Sequence, residues 1–345
     1  MKFHFILPLA ENHWPLIDIL RERLPEATFD CGEVSGFSSY RYRVQLIAKV
    51  PWLAFFAFKS VLTRIKHPPL PDFVCVGSDM ELIGCLLARF FTRKIIPIIW
   101  IGFIYTPRKL TLLREARWLY FRALLSQTAG VICYSKFESE FLPKLFRLKK
   151  TTFLSILYGG NLNVPQKSLT KEENKTGYIV SAGRSGRDYP LLFEAIKNLP
   201  KKLHLVCDSR HALKRLKIPS NVTVLSNCHG TNYIQELAGA DIVVLPLKDE
   251  KLSSGQMVFV DAMALGKAVI ITKTATTVEY GEHLKTCYFV RPGSVEEMCS
   301  AIDICNKPEI IEAIGSEAKR HYEEYHSIVP HVNSLIEAIE KIGTR

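Results

Sequence analysis

The chain is expected to fold as two doubly wound, Rossmann-like α/β domains facing a cleft. Three observations lead there. Short apolar, β-rich runs alternate with helical stretches along most of the length, the pattern of parallel strands joined by crossover helices. A polar, aperiodic segment, Asn163–Gly177 ("NVPQKSLTKEENKTG"), divides this alternation into two series. The 345 residues, 48% of them apolar, suffice for two cores of ordinary size.

The first series predicts strands at Phe3–Leu9, Phe73–Val76, Ile95–Trp100, Gly130–Tyr134 and Phe153–Leu157. The second predicts Tyr178–Ala182, Lys202–Cys207, Val222–Leu225, Ile242–Leu245, Ala268–Thr272 and Cys287–Val290, with helices such as Pro190–Lys197 and Tyr233–Ala238 between them. The boundaries follow: an N-terminal domain over 1–165, a second domain over 166–325, and a C-terminal helix over 326–345 packing back toward the first domain. Ligands of such sheets bind beyond the carboxyl ends of the strands.

Composition removes several function classes. The opening "MKFHFILPLAENHWP" has no small-residue cleavage site and reads as a first strand, not a secretory signal. No window offers about twenty uninterrupted apolar residues, so no transmembrane helix is expected. The nine cysteines form no C-x-x-C pair, and Cys75, Cys85, Cys133 and Cys207 sit in apolar runs. Reduced thiols in a cytosol are the expectation.

The net charge of +11 is unevenly placed: residues 1–160 carry 22 Lys and Arg against 12 Asp and Glu, residues 161–345 carry 23 against 22. No acid occurs from Val34 to Pro71 or from Leu82 to Arg114. The first half therefore meets something anionic. Nucleic acid is not expected, because the aromatics cluster in apolar runs instead of alternating with the basic residues. An anionic membrane surface is. Val44–Leu62 is strongly apolar and crowds Trp52, Phe55, Phe56 and Phe58, with Lys49 and Lys59 inside the run and basic residues on both flanks. Pro51 is expected to interrupt any helix there. The segment reads either as an interfacial membrane element, through Trp52, Phe55, Phe56, Lys49 and Lys59, or as a helix packed on the first sheet.

Two constellations carry chemistry. In "KLSSGQMVFVDAMALGKAVIIT" (Lys251–Thr272), Ser253 or Ser254 suits an N-cap, and Gly255 lets a ligand approach the backbone. The start of the following helix, at Ser254, Gly255 and Gln256, is suited to a diphosphate. Asp261 lies between one and two turns further in, where its carboxylate leans back toward that ligand and can accept hydrogen bonds from ribose hydroxyls. The plainer reading is a capped core helix with one polar interruption. In "SAGRSGRDYPLLFEA" (Ser181–Ala195), Gly183 and Gly186 loosen a strand-to-helix turn, and Arg184 and Arg187 suit a phosphate clamp. The plainer reading pairs Arg187 with Asp188 at the surface.

The segment "YIQELAGADIVVLPLKDEKLSSGQMVFVDAMALGKAVIIT" resembles the donor-binding segment of GT-B glycosyltransferases, most of all the retaining family 4 enzymes. "DAMALGKAVI" (Asp261–Ile270) is similar to that family's "EAMA-x-G-x-P-V-I" run, with Asp for Glu and Ala268 for Pro. "AGRSGRDYPLLFEAI" resembles its glycine-arginine loop, and "LSILYGGNLNV" the segment that leaves the first domain. The resemblance implies a glycosyltransferase with GT-B architecture. It would use a nucleoside-diphosphate sugar as co-substrate and no other cofactor. A lipid-linked or saccharide acceptor and the cytosolic face of a membrane go with it. Arg184 and Arg187 fit the basic donor-diphosphate positions. The family's first acidic residue of its pair falls on Ser253, so Glu250 or Asp249 would have to help hold the sugar. "VLSNCHGTNY" (Val224–Tyr233) resembles the base-reading turn, which brings His229 to the base. No histidine follows the third strand of the first domain, where many family members have one.

The catalytic candidates lie in the first half. Asp79 ends "VCVGSDMELIG", where Ser78 and Glu81 also form a capping-box pattern, and His13 follows the first strand. No acidic pair is well placed for a metal, so a metal-independent reaction is expected. The alternative function is a non-catalytic sugar-nucleotide-binding or polysaccharide-assembly protein.

Overall fold

The computed structural model describes residues 1–7, 15–31, 42–107, 110–160, 177–183, 185–207, 213–248 and 253–344; the side chains of 42–50 lie outside that description. The chain divides into two compact units, Met1–Ile156 with Val332–Arg345, and Leu157–His331. The last strand of the first sheet ends at Ser155, ahead of the polar segment.

The first unit holds β1 (Phe3–Leu7), α1 (Pro15–Arg23), β2 (Thr28–Cys31), α2 (Tyr42–Lys66), β3 (Phe73–Val76), α3 (Asp79–Thr92), β4 (Ile98–Ile101), α4 (Thr111–Leu125), β5 (Gly130–Cys133), α5 (Lys136–Leu145) and β6 (Thr152–Ser155). Its six strands are parallel in the order β2-β1-β3-β4-β5-β6. The order reverses between β1 and β3. The second unit holds β7 (Tyr178–Ala182), α6 (Tyr189–Ile196), β8 (Lys202–Val206), β9 (Val222–Leu225), α7 (Thr231–Gly239), β10 (Ile242–Leu245), α8 (Gln256–Ala264), β11 (Ala268–Thr272), β12 (Tyr288–Val290), α9 (Val295–Cys305) and α10 (Pro308–His321). Its strands run β9-β8-β7-β10-β11-β12, again all parallel, and reverse between β7 and β10. Runs such as Ile242–Leu245 and Ala268–Thr272 are buried throughout, as strands covered on both faces must be. The last helix, α11 (Ile328–Gly343), begins in the second unit and ends in the first.

Two sequence expectations change. The strand β2 has no strong apolar signal: its four residues, TFDC, are all half-buried at the sheet edge. And α2 is not interrupted at Pro51 but runs 25 residues through it. A proline removes one helical hydrogen bond, but packing on both neighbours offsets that loss. Leu53, Ala57 and Val61 are buried, and a Cβ on Gly84 of α3 would lie 2.1 Å from the Ala54 carbonyl, so the two backbones meet at a glycine. Ser60 donates to Asp30 on β2 and bonds buried His4 on β1, and Arg64 pairs with Asp30 at 2.7 Å. Burial lowers the His4 pKa to about 4, which keeps that ring neutral between its two hydroxyl partners. Thus α2 is a helix packed on its own unit. Of its expected membrane residues, Phe55 (61% exposed) and Lys59 are exposed, Trp52 and Phe56 are half-buried and pack on each other, and the Lys49 side chain lies outside the described residues. Among the described residues no helix is long and apolar enough to cross a membrane.

Candidate functional site

The strand order reverses between β7 and β10, the place where sheets of this kind bind ligands at the carboxyl ends of their strands, and the loops that follow β7 and β10 meet there. These loops are laced together. Arg187 and Leu247 form an isolated bridge, Asp188 N donates to the Pro246 carbonyl (2.9 Å), and Lys248 N donates to the Gly186 carbonyl (3.0 Å). Arg187 is at the centre, only 9% exposed. Its Nε donates to the Ala182 carbonyl (2.8 Å) and one terminal nitrogen to that of Ser185 (2.9 Å). No carboxylate pairs with it among the described residues. Asp188 instead caps α6, accepting from Leu191 N, which sets aside the surface pair with Arg187. Burial lowers the Arg187 pKa, and only tyrosines and a cysteine oppose that. A buried cation without a counter-charge is a standing demand for an anion.

Gly183 makes room for it: at φ 108°, a Cβ there would lie 2.4 Å from the guanidinium. Gly255 is adjacent, with its Cβ position 3.6 Å from Arg187, an ordinary contact distance. Gly255, not Ser253 or Ser254, is the N-cap of α8, at φ 90° and with no side-chain capping bond. The left-handed backbone there suits glycine. The cap residue itself thus offers no side chain to the first amides of α8, beside Arg187. Ser253 is buried and Ser254 half-buried next to it; Gln256 is buried, with Nε2 unpartnered among the described residues. Gly255→Ala is expected to lower the unfolding free energy by about 1–2 kcal/mol, the cost of a Cβ in the left-handed region; urea denaturation measures it.

Asp261 lies further along α8. Its Oδ2 accepts from the Tyr233 hydroxyl of α7 at 2.9 Å. Its Oδ1 lies 3.6 Å from where a Gly160 Cβ would be and accepts no hydrogen bond among the described residues. Burial pushes the carboxyl up from 3.8 to about 6, and the Tyr233 bond opposes that. The Arg187 charge also acts on Tyr233, so the phenol links the two ends of the cluster. Gly160 is held by Tyr322, whose hydroxyl donates to its carbonyl (2.8 Å), and by its own N–H to the His326 carbonyl (3.1 Å). His326 Nδ1 bonds the Tyr158 carbonyl, and its ring stacks on Tyr280. Tyr233, Gly160 and this strap were not singled out by sequence reasoning. Tyr233 and Asp261 are 28 positions apart, with no local signal of their pairing.

The remaining expected residues are placed as follows. His229 is exposed in the loop before α7, which Gly230 opens at φ 55°. Asp79, in the first unit, stands at the start of α3 beside the β1/β3 reversal. It accepts from Tyr120 (2.9 Å) and from its own neighbour Met80 N (3.1 Å). The capping box is formed there: Ser78 accepts from Glu81 N, and buried Glu81 accepts from Gly77 N and Ser78. His13, Arg184 and Glu250 lie outside the described residues. Among the described residues no three His, Cys, Asp or Glu side chains gather to hold a metal ion.

Residues 176–306 match the family model for glycosyl transferases group 1. HepE from Anabaena, solved with UDP-glucose, is similar at 17% identity and a TM-score of 0.69, over 99% of this chain and 100% of that one. Sucrose-phosphate synthase from Thermosynechococcus elongatus is similar at 16% identity and a TM-score of 0.73, over 99% and 98%. A glycosyltransferase from Rickettsia africae gives 15% and 0.65, over 99% and 98%. No match is found among curated protein sequences. At these identities the structures establish the fold. The chain thus has the two-sheet α/β fold of the GT-B glycosyltransferases, and its residues 176–306 match the glycosyl transferases group 1 model.

Proposed function

We propose that the protein transfers a sugar, with retention, from a nucleoside-diphosphate sugar to a lipid-linked or saccharide acceptor in glycoconjugate assembly. The observation that carries this is the buried Arg187, with no carboxylate partner among the described residues, beside the glycine-capped start of α8. HepE, which shares the fold, is solved with UDP and with UDP-glucose, and UDP is on that ground the nucleotide proposed for this chain and the probe in the experiments below. In the reaction the bond from the anomeric carbon to the phosphate oxygen breaks, a bond to the acceptor hydroxyl oxygen forms, and the diphosphate leaves with the electron pair. Arg187, Arg184 and the α8 amides offset the charge that develops on it, and Asp261 holds the ribose. With those cations in place the reaction needs no metal. Asp79 and His13 are the candidates to take the acceptor proton. The cytosolic face of a membrane is the proposed location.

A second reading, donor binding without transfer, is favoured by one residue: Ser253 stands where the resembled family has its first carboxylate. Thermal shift against a panel of sugar nucleotides, followed by assay of diphosphate release with and without chelator, separates them. A melting shift with no release supports the second reading. No shift with any sugar nucleotide overturns both.

A further inference from the structure

The first unit carries an apolar and basic surface that the donor site does not use. Along α4, Leu112, Ala116, Leu119 and Ala123 recur at intervals of four, three and four residues, so they form one stripe. All four are exposed, Leu112 at 77% and Leu119 at 57%. The stripe runs into an open groove of ≈ 510 Å³ lined by Leu119, Arg122, Arg147, Lys149 and Lys150. The guanidiniums of Arg122 and Arg147 lie 5.3 and 5.9 Å from the Trp118 ring, whose indole nitrogen is fixed to the Leu145 carbonyl. Arg147 is held in the left-handed region at φ 53°. None of these four cations pairs with a carboxylate among the described residues. From Leu82 to Phe137 the chain has a single acid, Glu115, and it lies 3.4 Å from Arg114.

We propose that this face of α4, with the 147–151 loop, docks on an anionic phospholipid bilayer. Its composition matches that solvent: leucines for the acyl boundary and unpaired cations for the headgroup phosphates. A nucleic acid would leave the leucine stripe in water, and an acidic soluble partner would leave it without a use. Tyr120, on the same helix, holds Asp79. The helix therefore connects the bilayer-facing stripe to the residue proposed for the acceptor side. This gives the membrane location proposed above a defined surface, and it does not rest on the transfer reaction.

Co-sedimentation with vesicles tests it, using phosphatidylcholine alone against equal parts phosphatidylcholine and phosphatidylglycerol. Wild type is expected to pellet with the anionic vesicles only. Leu112→Ser/Leu119→Ser and Lys149→Glu/Lys150→Glu should each lower the bound fraction by about tenfold or more. All these side chains are exposed, so unchanged melting curves are expected. Lys214→Glu/Lys217→Glu, an equal charge change in the second unit, and Phe55→Ser on α2 should bind as wild type. Wild type that stays in the supernatant overturns the proposal. So does equal loss in the Lys214/Lys217 variant, which would reduce the effect to net charge, or loss in Phe55→Ser alone, which would move the contact to α2. Dimerisation abolished by the leucine variant without vesicle binding would assign the stripe to a second copy. UDP affinity by calorimetry should be the same in every variant, so a failed donor site and a failed membrane surface give different results.

Discussion

Arg187→Ala is expected to weaken UDP binding by about tenfold or more, since a charge-assisted hydrogen bond contributes roughly 1.5–3 kcal/mol. The geometry makes this more than the loss of one charge. The guanidinium holds the carbonyls of Ala182 and Ser185, and only a glycine at position 183 leaves it room. Arg187→Lys keeps the cation but cannot make both backbone bonds in the same plane, so it should recover only part of the affinity. Calorimetry with UDP, beside melting curves, separates the two contributions. Unchanged affinity in the alanine variant would remove Arg187 from the phosphate site and leave it as the rivet between the β7 and β10 loops.

The two parallel sheets were legible because their central strands are buried on both faces. Runs such as Ile242–Leu245 and Ala268–Ile271 are uniformly apolar, a signal that needs no tertiary context. Edge strand β2 was not legible: its place is set by Asp30 meeting Ser60 and Arg64 from a helix thirty residues away. The continuity of α2 through Pro51 was hidden for the same reason, since Gly84 and Ala54 meet only in three dimensions. At the candidate site, glycines and charges flag themselves locally, so Gly183, Arg187, Gly255 and Asp261 could be picked out. What the sequence could not convey is who faces whom. Arg187 lacks the neighbouring Asp188 as a partner because that carboxylate is spent on capping α6. The capping serine was misplaced by one or two residues because a left-handed Gly255 takes that position.

UDP affinity is expected to rise with pH through about 6 and then level, because burial holds the Asp261 carboxyl near that value. The ionised form accepts hydrogen bonds from ribose hydroxyls; the protonated form loses that charged acceptor. The change should be about ten- to hundredfold, the equivalent of roughly 1.5–3 kcal/mol. The stability effect has the opposite sign. The folded-state pKa lies above the ordinary 3.8, so the native state takes up this proton more readily than the unfolded chain. That contribution is full below the ordinary value and is lost as pH rises through about 6. Asp261→Asn should therefore bind UDP weakly at every pH, with a flat profile, while melting no lower than wild type above the midpoint. A merely structural aspartate would give the reverse: normal affinity and a lower melting temperature. Tyr233→Phe sharpens the test. It removes the one hydrogen bond that lowers this pKa. The midpoint of the affinity profile should then move above its wild-type position. A midpoint that stays in place, or a wild-type profile that is flat across this range, would take the carboxylate out of the binding site.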